Sequence, residues 1–153
     1  MWMKKLRHIW DRSPESRMMY FQKGNHPQYA WNFAHHGQSM IGLHVTMFRQ
    51  TVDQFSDEEQ AKTWVPLTRN FDIHGCYAQT EIGHGSNVAG IETTATFDKE
   101  SDCFDLHTPT KTATKWWPGD MGRFANHATV FAKVIIKDED GNANDYGIGV
   151  FIV

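Results

Sequence analysis

Cysteine is scarce in this sequence: Cys76 and Cys103 are the two present, and neither lies in a CxxC pair or another zinc-ligand spacing. A disulfide framework is therefore excluded, and the cysteine content is typical of a protein from a reducing compartment. No run of about 18 apolar residues occurs, so no membrane-spanning helix is predicted. The basic N-terminal stretch "MWMKKLRHIWDR" lacks the apolar core that a secretory signal peptide requires.

Strong charge of either sign is also missing, since the formal net charge is -3. Such a small charge gives no electrostatic reason to expect a nucleic-acid partner. Neither a P-loop nor a dinucleotide-binding G-x-G-x-x-G fingerprint is present, because the glycine after Gly83 and Gly85 comes only at position 90. The nine histidines have no ligand spacing, and we predict no metal site.

The chain does contain enough apolar material for one core. Hydrophobic residues make up 40% and charged residues 22% of the sequence, which is typical of a globular protein. Up to about residue 70 the pattern is helical, with apolar residues three or four positions apart between Met40 and Phe55. Ser56, with Glu59 three positions later, predicts the N-cap and capping box of the next helix.

From about residue 74 the apolar period changes to two. Segments rich in Thr, Val, Ile, Phe and Tyr, separated by polar turns, predict five strands within 74–82, 91–99, 103–111, 127–137 and 146–153. Short strands of this kind favour an antiparallel sheet or barrel. Helices followed by strands indicate an α+β fold, with a partial helical domain over 1–73 and a β-domain over 74–153.

Two segments depart from these regular patterns. In "YAQTEIGHGSNVAG" (77–90), glycines beside hydroxyl, carboxylate and amide side chains would let a ligand approach the main chain, although an ordinary glycine-rich turn has the same spacing. In "KWWPGDMG" (115–122), two tryptophans precede a Pro-Gly turn. Each indole has a large apolar surface, so the pair is typical of a core plug or, alternatively, of the wall of a cofactor site.

Taken together, these segments resemble a known family. "CYAQTEIGHGSNVAGIETTATFD", followed by "LHTPTKTATKWWPGDMGRFANHATVFAKV", closely resembles the acyl-CoA oxidases, the peroxisomal branch of the acyl-CoA dehydrogenase superfamily. The resemblance is clear from about Gly75 to Val153 and extends back through "SDEEQAKTWVPL" and "HHGQSMIGLHVTMF". Its specificity comes from the order of Y-A-Q-T-E-x-G-H-G, E-T-T-A-T and K-W-W-P-G, since no single one of these motifs is specific.

The resemblance implies an enzyme of fatty-acid β-oxidation that uses FAD to convert a fatty acyl-CoA to the trans-2-enoyl-CoA, with O₂ as electron acceptor and hydrogen peroxide as product. By the same resemblance, Thr80 hydrogen-bonds the flavin ring, with Gln79 beside it on the same loop. Trp117 matches the tryptophan next to the isoalloxazine, and Gly119 matches the small residue near its reactive edge. Ser86 matches the position that contacts the acyl-CoA substrate.

The same motifs also indicate which electron acceptor the enzyme uses. The dehydrogenases of the superfamily carry W-I-T-N and T-E-P, whereas this chain has Trp117-Pro118-Gly119 and Thr80-Glu81-Ile82. A glycine leaves room at the flavin that could admit O₂, which favours an oxidase. Trp116 would point to the opposite face if the strand continued, so we expect it in the core.

In the family, a glutamate in a C-terminal helical half abstracts the α-proton, and no residue of this sequence matches it. Neither Glu81 nor Glu92 is assigned that role, because a general base must reach the proton that it removes. With the apolar ending "GIGVFIV", this predicts a fragment that is inactive alone, from a peroxisomal protein that is a homodimer when complete. The alternatives are a non-catalytic module that binds flavin or acyl-CoA or serves only in protein interaction, and an acyl-CoA dehydrogenase that uses a protein electron acceptor.

Overall fold

The computed structural model describes residues 42–153 of the chain. A π-helical turn (His44–Phe48) leads directly into helix α1 (Arg49–Phe55), and helix α2 (Glu58–Arg69) follows. The strands are β1 (Gly75–Ala78), β2 (Thr94–Asp98), β3 (Cys103–His107), β4 (His127–Lys137) and β5 (Ala143–Ile152), with a 3₁₀ turn at Val88–Gly90. The α+β class is confirmed. Each predicted strand segment contains a strand or most of one, since β5 begins three residues before the segment at 146–153.

Strand β4 is the centre of the sheet. β5 pairs with it in antiparallel orientation along most of one edge. The other edge is shared, because β1 pairs in parallel with the beginning of β4 and β2 pairs in parallel with its later part. β3 lies outside β2 and pairs with it in antiparallel orientation.

The expectation of an antiparallel sheet is therefore wrong in one respect, since the sheet is mixed. Alternation of apolar and polar residues reports which side chains face the core, and it carries no information on the direction of the neighbouring strand. Direction depends on how the chain returns to the sheet. Long connections bring β4 back parallel to β1 and to β2, whereas a short turn at 138–142 makes β5 antiparallel to it.

Helix α2 is capped one residue later than predicted. The Asp57 carboxylate accepts the main-chain N–H groups of Glu59 (2.9 Å) and Gln60 (2.8 Å), and the Gln60 side chain accepts the Asp57 N–H (3.2 Å). The capping box is therefore Asp57 and Gln60, and the predicted pair of Ser56 and Glu59 is wrong. Asp is as favourable as Ser at an N-cap, and its negative charge also interacts favourably with the helix N-terminus.

The core between the helices and the sheet consists of Phe48, Val52 and Ile73, with Trp64, Val65, Leu67 and Ile152 packed against it. On the predicted apolar face of the first helix, Phe48 and Val52 are buried, whereas Phe55 is 65% exposed. The polar His44 occupies a fully buried position that the pattern did not predict. A π-helical turn has i→i+5 bonds in place of i→i+4 bonds, so a face drawn with the α-helical period does not continue through it. Met40, at the start of that face, lies outside the described residues.

None of the helices in residues 42–153 is both long enough and apolar enough to span a membrane. The predicted helical domain over 1–73 lies largely outside the described range. The division of the chain at residue 74 therefore stays a prediction.

Candidate functional site

The two segments that stand out in the sequence lie side by side in the structure. Trp116 donates its main-chain N–H to the Thr80 carbonyl at 2.9 Å. Glu81 and Lys115, which are 34 positions apart in the sequence, face each other in an antiparallel bridge. Two further main-chain hydrogen bonds continue the pairing through residues 82–83 and 112–114. We call this pairing of residues 80–83 with 112–116 the motif ladder.

Thr80 and Gln79 follow the end of β1 and are half-buried. Within the described part of the chain, the Thr80 hydroxyl has no hydrogen-bond partner, so it is available to a ligand. The Gln79 side-chain oxygen accepts a hydrogen bond from the Tyr77 hydroxyl at 3.1 Å, and the Tyr77 ring packs on Phe131 at 5.0 Å. Tyr77 therefore orients the Gln79 amide, although the flavin contacts predicted for both site residues stay predictions.

Both tryptophans of the second segment are exposed. Trp117 is 79% exposed and Trp116 is 60% exposed, so the prediction that Trp116 packs in the core is wrong for the described domain. The prediction assumed that strand alternation continues past Lys115, but no strand is formed there and Trp117 has a positive φ of 42°. The two indoles thus leave a large apolar surface beside the motif ladder.

Gly119 has a packing reason that the sequence did not reveal. Its φ is +48°, a region that side-chain-bearing residues rarely adopt, and a Cβ added there would overlap Leu43 Cδ1. The residue therefore lets the turn approach the helical segment closely. Its predicted role at the reactive edge of the flavin stays a prediction.

Ser86 is exposed in the loop that follows the motif ladder, and no hydrogen bond among the described residues joins it to Thr80 or Trp117. Gly83 serves the ladder itself, because a Cβ on it would lie 2.8 Å from Thr112 Cβ. A Cβ on Gly85 would have no atom within 4 Å, so this glycine leaves open space beside Ser86.

Sequence reasoning missed the structural importance of Glu81. Its side chain is fully buried, and its carboxylate accepts hydrogen bonds from the Glu92 N–H (2.8 Å), the Thr93 N–H (3.0 Å), the Thr93 hydroxyl (2.5 Å) and the Lys115 ammonium (3.1 Å). Burial acts to raise the pKa of Glu81, but the hydrogen bonds from Glu92, Thr93 and Lys115 outweigh it and hold the pKa below its ordinary value. A carboxylate with this many donors is not a free general base.

Lys115 is the partner of Glu81 and is 12% exposed. Its ammonium group also donates to the Gln79 carbonyl (3.1 Å) and the Phe131 carbonyl (2.6 Å). Burial lowers the pKa of Lys115, and the hydrogen bond and negative charge of Glu81 oppose that shift. The lysine that begins the K-W-W-P-G motif thus binds the main chain that carries Gln79, and its place opposite Glu81 was not evident from spacing.

Glu81, His84 and Glu92 each place one potential metal-ligand atom within 4.8 Å of the others. The Glu81 oxygens are already occupied by four donors, and Glu92 accepts hydrogen bonds from the Thr110 and Thr112 hydroxyls. His84 Nε2 lies 3.2 Å from the Glu92 carboxylate. These contacts account for the cluster without a cation, and we assign no metal to it.

Beneath this region, His44 connects the helical segment to β1. It is fully buried, its Nδ1 accepts the Gly75 N–H at 3.0 Å, and its Nε2 lies 2.9 Å from the Thr68 carbonyl. This arrangement requires a neutral ring with the proton on Nε2. Burial is the main cause that lowers the pKa of His44 to about 4, and the charges of His74 and Arg49 act in the same direction. The ring of His74 stacks on it at 4.9 Å.

A cavity of about 230 Å³ lies between the helices and strands β4 and β5. None of the predicted flavin or substrate residues lines it. Its walls include Thr51, Phe55, Trp64, Thr129, Val150 and Ile152. The predicted site residues therefore lie outside this cavity, in the motif ladder and the loops beside it.

Comparison with known proteins gives the same family as the motifs. Residues 1–74 match the family model described as acyl-coenzyme A oxidase N-terminal. Peroxisomal acyl-coenzyme A oxidase 1 of Arabidopsis thaliana is 52% identical over 113 residues, which are 74% of this chain and 16% of the relative. The protein of the same name from Phascolarctos cinereus is 42% identical over 151 residues, which are 98% of this chain and 21% of the relative.

Solved structures agree with these relatives. Arabidopsis thaliana acyl-CoA oxidase 1 superposes with a TM-score of 0.76 at 42% identity and covers 99% of this chain and 21% of its own. Acyl-CoA oxidase-2 of Caenorhabditis elegans, bound with FAD, ascaroside-CoA and ATP, has a TM-score of 0.69 at 46% identity and covers 76% of this chain and 17% of its own. The chain thus spans about a fifth or less of the length of these relatives. Its motifs, its sequence and its fold together show that it belongs to the acyl-CoA oxidase family.

Proposed function

We propose that this chain supplies the flavin-contacting and acyl-CoA-contacting β-domain of an FAD-dependent acyl-CoA oxidase. The overall reaction is that of a fatty acyl-CoA with O₂ to give the trans-2-enoyl-CoA and hydrogen peroxide. The observation that carries the proposal is the hydrogen bond from Trp116 to Thr80, because it brings the two family motifs together. Relatives named acyl-CoA oxidases, one of them solved with FAD and ascaroside-CoA, support the choice of cofactor and substrate.

The residues of the motif ladder fit a flavin in chemical type. An isoalloxazine ring has flat apolar faces and a polar rim. The chain offers the exposed Trp117 indole beside the ladder and the Thr80 hydroxyl within it, which has no hydrogen-bond partner among residues 42–153. When bound, FAD supplies the two-electron acceptor of the dehydrogenation. Thr80 would donate a hydrogen bond to the rim of the ring, Trp117 would shield one part of it from water, and Gln79 would add its oriented amide.

One residue of this chain is assigned to substrate contact, and none is assigned the role of the base. Ser86 would contact the acyl-CoA from the exposed loop, where Gly85 leaves open space. Glu81 is excluded as the base by its four hydrogen bonds, and Glu92 is held by two threonine hydroxyls. We therefore expect the chain alone to bind FAD without turning over substrate. The complete enzyme would be peroxisomal, in line with the names of its relatives, and we also propose that it is a homodimer.

The test is FAD retention by the 153-residue chain. After mixing with FAD and desalting, the purified protein should show the absorbance of bound flavin. Thr80→Val should weaken FAD binding by about 0.5–1.5 kcal/mol, the net value of one hydrogen bond. Thr108→Val, an exposed threonine outside the motif ladder, is the matched control and should leave the affinity unchanged.

Each other result has a defined meaning. If the wild-type chain keeps no flavin, the proposed role in flavin binding is wrong. If it keeps flavin and Thr80→Val binds equally well, the assignment of Thr80 is wrong. Peroxide release from an acyl-CoA in air would show that the chain contains its own base, and turnover only with an artificial electron acceptor would favour a dehydrogenase.

A further inference from the structure

The motif ladder contains a buried ion pair in addition to its main-chain hydrogen bonds. We propose that the Glu81–Lys115 pair is a positioning device that holds the Gln79–Thr80 main chain against Trp116 and so shapes the cofactor site. This inference rests on the proposed function, because it treats the ladder as the place where flavin binds. Glu81 and Lys115 are positioning residues in this account, and neither is required to touch the flavin.

The hydrogen bonds of Lys115 reach three different segments. One goes to the Gln79 carbonyl just after β1, one to the Glu81 carboxylate across the ladder, and one to the Phe131 carbonyl in β4. An ammonium group has three protons, so these acceptors use its full donor capacity. Lys115 therefore links two elements of the sheet. One is the end of β1 at Gln79, the residue before Thr80, and the other is the central strand β4.

Glu81 extends the same network in the other direction. Its carboxylate accepts the main-chain N–H groups of Glu92 and Thr93 and the Thr93 hydroxyl, all in the segment before β2. The Thr93 hydroxyl also lies 3.2 Å from the Ala113 carbonyl on the opposite side of the ladder. The pair thus joins β1, β4, the segment before β2 and both sides of the motif ladder.

A contribution to folding stability alone does not explain why the Glu81–Lys115 ion pair is buried in the motif ladder. Burying two charges costs desolvation free energy, and an apolar pair of similar volume is often equally stable or more stable. An apolar pair, however, has no directional contacts with the Gln79 and Phe131 carbonyls. What the ion pair adds is a defined position for the main chain that carries Gln79 and Thr80, two of the four residues predicted to meet the flavin.

The experiment compares Glu81→Gln, Lys115→Met and the double variant in the full chain. Lys111→Met, an exposed lysine on the same segment, is the matched control. Three quantities are measured: the midpoint of thermal unfolding, the dissociation constant for FAD, and the hydrogen-exchange rate of the Trp116 amide without FAD. The double variant matters because a single variant leaves one buried charge without its partner and is expected to be less stable.

We expect Lys115→Met to weaken FAD binding about tenfold, because the Gln79–Thr80 main chain is then no longer held in place and has to be ordered when FAD binds. The Trp116 amide should exchange faster than in wild type, while Lys111→Met changes neither quantity. In the double variant we expect the unfolding midpoint to recover toward wild type, whereas FAD affinity and Trp116 protection stay low.

A double variant that regains both its stability and its FAD affinity would overturn the proposal, because the pair would then act on folding alone. Unchanged FAD affinity in every variant that folds would also overturn it. Failure of the wild-type chain to bind FAD would instead refute the proposed function. In that case Trp116 exchange in Glu81→Gln and the double variant still decides whether the pair positions the ladder.

Discussion

Acidification from pH 7 to pH 5 should destabilise the folded chain through His44. The ring is fully buried, and its neutral form is required by the hydrogen bonds with Gly75 and Thr68. The unfolded chain has no such constraint and takes up a proton at an ordinary histidine pKa. The folded state therefore binds fewer protons than the unfolded state in the window between the two pKa values, so stability falls as the pH falls through it.

The magnitude follows from the two pKa values of His44. The folded-state pKa is about 4 and the ordinary value is 6.5. Proton linkage over this interval gives a loss of about 2 kcal/mol between pH 7 and pH 5, and about 3 kcal/mol once the pH is below the folded-state value. Burial also lowers the pKa of His74, against the opposing charge of Asp120, so His74 contributes with the same sign.

The assay is urea unfolding of the full chain at pH 5, 6 and 7, followed by circular dichroism. His44→Phe removes the titrating ring, so its stability should vary less with pH than that of wild type, even though it is less stable throughout. The remaining slope would come from His74 and, near pH 5, from Glu81, whose pKa is also lowered in the folded state. His107→Gln changes an exposed histidine on β3 and should keep the wild-type slope. Equal slopes for His44→Phe and wild type would refute the assignment of the pH dependence to His44.

Two further predictions concern stability, measured by chemical unfolding at neutral pH. Gly119→Ala should cost about 2–3 kcal/mol, because it combines a positive φ with overlap on Leu43, whereas Gly122→Ala, with a positive φ and open space, should cost about 1 kcal/mol. Equal costs would show that the contact with Leu43 is unimportant. Phe48→Ala should cost about 3–5 kcal/mol because the ring is fully buried in the core. Phe55→Ala is its control, since that ring is 65% exposed, and a similar loss in both would contradict the described core.

Strand positions were predictable because they depend on local pattern. Apolar residues at every second position mark a strand whatever its neighbours are. All five segments with this pattern contain a strand or most of one, although β3 is mostly exposed. The motif order was equally local information, and it was enough to identify the family. The N-cap of α2 shows how precisely local pattern places an element boundary. Ser56 and Asp57 are both good N-cap residues, and the prediction was off by one position.

Strand direction, the exposure of Trp116 and the packing of Gly119 could not be predicted in the same way. Each depends on which distant segment lies alongside. Strand direction depends on β4 lying beside β1 and β2, the exposure of Trp116 on the end of the bridge pairing at Lys115, and the packing of Gly119 on the approach of Leu43. An alternating pattern assumes that the strand continues as far as the Pro-Gly turn at 118–119, and the sequence does not show that the bridge pairing already ends at Lys115. These three points therefore required the tertiary structure.

By itself, the sequence determined the α+β class, the five strands and the family, because short-range periodicity and an ordered set of motifs are properties of neighbouring residues. Only the tertiary structure decided that "YAQTE" and "KWWPG" form one ladder, with a buried glutamate from one motif bound to a lysine from the other. The physical reason is that the low cost of burying both charges arises only when they meet. Glu81 and Lys115 are 34 positions apart in the sequence, and the folding of the whole sheet brings them into contact.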